Sequence, residues 1–105
     1  NYTGACALGP CLVVGPMPSP ETTIAITISR SGQEVFSGDT ALSQIKRSFD
    51  ELAGWLFKCN RFHQGAYLMT GTGVVPDSDF TLQVDDEIAI TIEGVGTLRN
   101  TVEKV

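Results

Sequence analysis

An α+β fold, a mostly antiparallel or mixed β-sheet carrying one amphipathic helix, is predicted by two observations on this 105-residue chain. Two segments alternate apolar and small polar residues with a period of two, each leading through a glycine turn into a returning segment. Between them lies one stretch whose apolar residues recur every three or four positions. The first period belongs to half-buried strands and the second to one face of a helix.

Taken in order, Cys11-Leu12-Val13-Val14 is an apolar run that reads as a first strand, with the Cys11 thiol facing a core as a small hydrophobe. Gly15-Pro16-Met17-Pro18-Ser19-Pro20 follows as a stiff surface loop. Residues 23–29, TIAITIS, place Ile24, Ile26 and Ile28 on one face and Ala25, Thr27 and Ser29 on the other. Ser31-Gly32 turns this strand into Gln33-Glu34-Val35-Phe36, making a hairpin. From Thr40 to Lys58 the spacing of Leu42, Ile45, Phe49, Leu52 and Leu56 predicts a helix packed on the sheet, capped by Asp39 or Thr40. Tyr67-Leu68-Met69 reads as a short strand delivering the chain into Thr70-Gly71-Thr72-Gly73. Asp77, Ser78 and Asp79 form a polar loop, residues 87–93 alternate again, and Gly94-Val95-Gly96 turns them into residues 97–102. The pentapeptide Ile-Ala-Ile-Thr-Ile occurs at residues 24–28 and again at 88–92. Convergence on a good strand pattern explains five matching positions better than duplication of a hairpin does.

Composition bounds the function. The length suits a single domain over residues 1–105, and 42% apolar content is enough to bury a core. Seven basic residues are scattered among twelve acidic ones for a net charge of -5, so neither nucleic acid nor an anionic membrane is an expected partner. No apolar run approaches the roughly 18 residues of a transmembrane helix. Three cysteines are an odd number and too few for a disulfide scaffold, which fits a reducing, cytoplasmic setting. The chain begins at Asn1, as a processed or excised segment would.

Most candidate chemical groups have a plainer explanation. Cys6, Cys11, Cys59 and His63 give C-x4-C and C-x3-H, nominally four zinc ligands, but the spacing is looser than in zinc knuckles. Asp85-Asp86-Glu87 is the only acidic run, and neighbours on an extended chain point to opposite sides, so no carboxylate metal site is expected. His63 is the only histidine, and its place past the helix end suits a solvated surface position better than a catalytic one. Thr70-Gly71-Thr72-Gly73 differs: glycines admit close approach, and exposed amides with two hydroxyls suit a carboxylate or oxyanion. No lysine accompanies it and no helix clearly follows, so it is not a phosphate-binding P-loop. On spacing alone a ligand cradle and an ordinary turn stand equal.

Three stretches carry a family resemblance: residues 65–73, GAYLMTGTG; Phe80-Thr81-Leu82 before Asp85-Asp86-Glu87-Ile88; and residues 92–102, IEGVGTLRNTV. Together with Ala7-Leu8-Gly9-Pro10 they resemble the C-terminal end of the fumarylacetoacetate hydrolase family. The resemblance covers essentially the whole chain and the last third or so of a family member. It implies a partial, β-roll-like version of that catalytic domain. It also implies Mg2+-dependent work on 2-oxo acids: C–C hydrolysis, decarboxylation, isomerisation or dehydration. The Thr-Gly-Thr-Gly form followed by Val74-Val75-Pro76 is most similar to the branch that dehydrates 2-keto-3-deoxy sugar acids.

Carried over residue by residue, the resemblance makes Gly71 and Thr72 substrate-contacting, with Gly73 standing where many members have proline. The family's Glu-x-Glu and Asp metal ligands and its catalytic lysine lie upstream of the matched segment. This chain alone is therefore expected to supply no catalytic residue, to hold no Mg2+ and to be inactive. Two functions follow as expectations. The chain is the C-terminal portion of such an enzyme, or it is a free-standing non-catalytic module that self-associates or binds a small ligand or protein. Either way, half a sheet exposes edges and apolar surface, so a homodimer or larger assembly is expected.

Overall fold

The computed structural model describes residues 3–71 and 73–104. Its centre is one four-stranded sheet: β1 (Thr23–Arg30), β2 (Gln33–Ala41), β3 (Glu87–Ile92) and β4 (Gly96–Thr101) in the order β2-β1-β3-β4. Every neighbouring pair is antiparallel. The two Ile-Ala-Ile-Thr-Ile segments are each other's partners, paired Ile24 to Ile92, Ile26 to Ile90 and Ile28 to Ile88. A palindromic apolar pattern in an antiparallel register puts six isoleucines on one face. Ser31 and Gly32, both at positive φ, make the two-residue turn from β1 into β2.

The isoleucine face also holds Phe36, Gly38 and Thr40 from β2 and Leu98 from β4, since these pair with isoleucines across the sheet. At the β4 side the N-terminal arm crosses this face, with Pro10 against Gly96 and Leu98 against Gly9. Cys11 Sγ donates to the Val95 carbonyl at 3.3 Å. At the β2 side, residues 73–80 run along the strand. Val74 sits over Gly38, Gly73 over Thr40, and Phe80 beside Phe36 with ring centroids 6.0 Å apart.

Several expectations need correction. The helix is α1, Phe49–Phe57, and not residues 40–58. Thr40 and Ala41 remain in β2, and Leu42–Gln44 form a 3-10 turn. The cap is Ser48, whose hydroxyl accepts from the Glu51 N–H at 3.1 Å, rather than Asp39 or Thr40. Nor is α1 laid on the sheet, for it has no buried residue and its contacts with the strands are slight. Residues 11–14 and 67–69 form no strand among the described residues. Their side chains stand in solvent, Val14 at 88% and Met69 at 75% exposure, and Cys11 is exposed rather than core-facing. A run of apolar residues becomes a strand only where an edge is free to pair with it.

The chain also fails to cover itself. Among the described residues only Ile28, Thr22 and Asp86 are buried, so 42% apolar content does not produce a closed core. The accessible surface is 8572 Å², against ~5,700 Å² for a compact protein of this mass. The radius of gyration is 15.6 Å, against ~13 Å for a compact domain of this length. A single-layer sheet lacks the second layer that a closed core requires. No helix among the described residues is long and apolar enough to cross a membrane.

Candidate functional site

A cleft of about 530 Å³ opens where the loop after residue 69 returns to the sheet. Ile24, Ile92, Leu42 and Val74 give it apolar walls, with Leu52 of α1 at one side. Thr70, Gly71 and Gly73 line it from the loop. Lys46 and Arg47 line it from the segment between the 3-10 turn and α1. The sequence-predicted site residue Gly71 is therefore in a cleft, exposed, at φ 103°. Thr72, its predicted partner in substrate contact, lies outside the described residues.

Close packing sets the position of this loop. A Cβ on Gly38 would stand 2.7 Å from Val74 Cγ2, and one on Gly73 would stand 2.8 Å from Thr40 Oγ1. Both contacts require the missing side chain, and together they seat the loop on β2 one residue beyond the turn. Further along, the loop is fastened by an ion pair. Arg30 Nε donates to Asp86 Oδ1 and its Nη2 to Asp86 Oδ2, each at 2.8 Å, while Nη2 also reaches the Thr81 carbonyl at 3.1 Å. The Gln83 N–H donates to Asp86 Oδ2 at 2.8 Å. The Arg30 hydrogen bonds, helped by the Gln83 amide and opposed by burial, pull the Asp86 carboxyl down to about 2.

The other sequence candidates do not gather. Cys6, Cys11 and Cys59 are free and exposed, and His63 is exposed. Asp85 and Glu87 are exposed while Asp86 is buried, but residues 83–86 form a turn rather than an extended chain, with Asp85 at φ 70° and the Asp86 N–H donating to the Gln83 carbonyl at 3.1 Å. Sequence reasoning missed Lys46 and Arg47 because helical spacing placed them inside a longer helix. It also missed Gly38, although a glycine inside a strand marks a close backbone or side-chain approach.

The family model for the fumarylacetoacetate (FAA) hydrolase C-terminal region matches residues 1–103. The chain belongs to the fumarylacetoacetate hydrolase family. Relatives of this fumarylacetoacetate hydrolase segment include a probable 2-keto-3-deoxyxylonate dehydratase of Haloferax volcanii, 39% identical over 99% of this chain and 37% of its own length. Another is a 2-dehydro-3-deoxy-D-arabinonate dehydratase of Saccharolobus solfataricus, 33% identical over 98% of this chain and 35% of its own length. The chain thus spans a little over a third of the curated relatives it matches. Among solved structures, 2-keto-3-deoxy-D-arabinonate dehydratase complexed with magnesium and 2,5-dioxopentanoate superposes with a TM-score of 0.93 at 33% identity. That superposition covers 99% of this chain and 38% of the other, and the apo form gives a TM-score of 0.92.

Magnesium in that complex raises the question of what this segment offers such an ion. Mg2+ takes oxygen donors in near-octahedral geometry. Among the described residues no three His, Cys, Asp or Glu side chains come together. Among the described residues Asp86 is the one fully buried carboxylate, and it is committed to Arg30 and the Gln83 amide. The cleft is lined by apolar side chains together with Thr70, Gly71 and Gly73 of the loop and the cations Lys46 and Arg47.

Proposed function

We propose that this fumarylacetoacetate hydrolase segment is the C-terminal part of an enzyme that dehydrates 2-keto-3-deoxy sugar acids, supplying one wall of the substrate site. The observation that carries the reading is the near-complete superposition on the dehydratase bound to 2,5-dioxopentanoate, at a TM-score of 0.93. In this reading the turn at residues 70–73 meets the substrate, with Gly71 and Thr72 as its contacts. Backbone N–H groups of such a turn donate to a carboxylate or enolate oxygen without bringing side-chain bulk. Mg2+, when bound by donors outside the described residues, would polarise the substrate's oxygens.

Residues 1–105 then act as one unit of a larger catalytic domain, whose further strands close the sheet into a roll. Exposed apolar side chains such as Leu12, Val14, Trp55 and Met69, and the relatives' greater length, support that closure. Exposed β2 and β4 edges support pairing with a second copy as well. Three free, exposed cysteines fit a reducing, cytoplasmic compartment.

The test supplies 2-keto-3-deoxy-D-arabinonate and Mg2+ to two proteins. One is this chain alone; the other is this chain joined to the upstream two-thirds of the Saccharolobus relative. Formation of 2,5-dioxopentanoate is expected from the second and not from the first. Turnover by the chain alone would overturn the claim that its site is partial. A folded fusion that binds substrate without turning it over would favour the non-catalytic module.

A further inference from the structure

We propose that Lys46, backed by Arg47, is the cationic half of a carboxylate clamp whose other half is formed by Thr70, Gly71 and Gly73. The inference rests on the 2-oxo-acid reading and names the cation that shares the cleft lining with the loop. Sequence alone gave the turn no cation. The fold supplies two, from a segment more than twenty residues earlier in the chain.

Charge distribution is the first argument. The chain carries twelve acidic and seven basic residues, yet the described lining of this cleft contains Lys46 and Arg47 and no Asp or Glu. A cleft of reversed sign in an acidic protein draws anions in and keeps cations out. Its apolar walls, Ile24, Leu42, Ile92 and Val74, weaken solvent screening and strengthen the attraction.

Availability is the second. Lys46 makes no ion pair among the described residues. Arg47 approaches only Glu51, at 3.9 Å and in an exposed i,i+4 pair worth little. Both charges are therefore free to take an incoming anion.

Placement is the third. The 3-10 turn that precedes Lys46 is tied down by the Leu42 N–H to Thr22 at 3.1 Å and the Ser43 N–H to Pro20 at 2.8 Å. The Ile45 N–H closes the turn on Leu42 at 3.0 Å. Ser48 then caps α1. The short cationic segment is thus held by backbone hydrogen bonds before it and by the helix cap after it, in the same cleft lining as Thr70, Gly71 and Gly73, so less backbone ordering is left to be done when ligand arrives.

The experiment is a 1H–15N titration of the 105-residue chain with pyruvate, a 2-oxo acid anion, and with methyl pyruvate, its neutral counterpart. Pyruvate is expected to shift the Gly71, Gly73 and Lys46 amides. Lys46→Gln is expected to weaken pyruvate about tenfold, as loss of a charge-assisted contact does, while Lys46→Arg stays within about threefold. Methyl pyruvate should show no difference among the three proteins. Dispersed β1 and β3 amides in each spectrum verify folding. If Lys46→Gln binds pyruvate as the unmodified chain does, with Gly71 and Gly73 still responding, the clamp is overturned and the 2-oxo-acid reading stands. If pyruvate leaves the Gly71 and Gly73 amides of the folded, unmodified chain unmoved, the clamp is overturned, while the 2-oxo-acid reading is decided separately by turnover in the joined protein.

Discussion

Arg30 and Asp86 form a two-point ion pair, both contacts at 2.8 Å, that ties the end of β1 to the loop entering β3. The carboxylate is fully buried and the guanidinium lies 5.8 Å from the Phe80 ring centroid. The same residue ties in β4, because the Val102 N–H donates to the Asp86 carbonyl at 2.9 Å. One buried pair therefore joins β1, the loop at residues 80–86 and the end of β4. Removing one partner strands the other in a poorly solvated place.

Asp86→Asn should accordingly lower the melting temperature and strip amide protection first from residues 80–86. The acid response fixes the sign. The folded pKa of Asp86, about 2, lies below the ordinary 3.8, so its contribution is complete above pH about 4 and is lost as pH falls toward 2. The unmodified chain should lose melting temperature across that window, and the Asn variant should lose less there. Equal acid slopes for the two proteins would refute the assignment.

Gly38 and Val74 make a second prediction. Gly38→Ala places a methyl 2.7 Å from Val74 Cγ2, a clash with a short, branched side chain that has little room to swing away. The expected cost is about 1–3 kcal/mol, with Gly71 and Gly73 amide shifts as the loop lifts from β2. Adding Val74→Ala makes room and should recover most of the loss, so the two substitutions should couple strongly in a double-mutant cycle. Additive effects would show that the contact does not seat the loop.

These residues show what the sequence displayed and what it withheld. Period-two isoleucines at residues 24–28 and 88–92 announced β1 and β3 because each face of a strand sees one environment. Nothing in that pattern says that the two segments pair with each other, since pairing is a long-range choice. Leu42 and Ile45 mimic a helical stripe because both line the cleft, and burial imposes apolar character whether or not the backbone is helical. Residues 11–14 and 67–69 are apolar but exposed and pair with no strand among the described residues, so they read as strands without forming them. Gly71 was visible in the turn, whereas Lys46 joined the cleft lining only because Leu42–Gln44 form a 3-10 turn in place of the expected helix.

Helix α1 provides a local test. Ser48 accepts the Glu51 N–H, and Asp50 and Glu51 place negative charge at the positive end of the helix. Ser48→Ala should cost the helix about 1 kcal/mol. Since α1 touches the strands only slightly, the loss should stay local. Hydrogen exchange is expected to quicken in Phe49–Phe57 while β1 and β3 are unchanged. Quickening in the sheet to the same degree would mean that α1 and the sheet unfold as one.

Gly71 separates backbone strain from crowding. A Cβ there would meet nothing within 4 Å, yet its φ of 103° is a conformation that L-residues rarely adopt. Gly71→Ala therefore carries a cost of about 1–3 kcal/mol from the backbone alone, and the turn should relax to another shape rather than unfold the sheet. Pyruvate binding should fall about tenfold while β1 and β3 amides keep their positions. D-alanine, introduced by ligation at Cys59, takes positive φ without strain and fits the open space, so it should restore binding. If D-alanine and L-alanine weaken binding alike, the side chain itself is the obstacle, and the turn approaches its ligand more closely than backbone geometry alone requires.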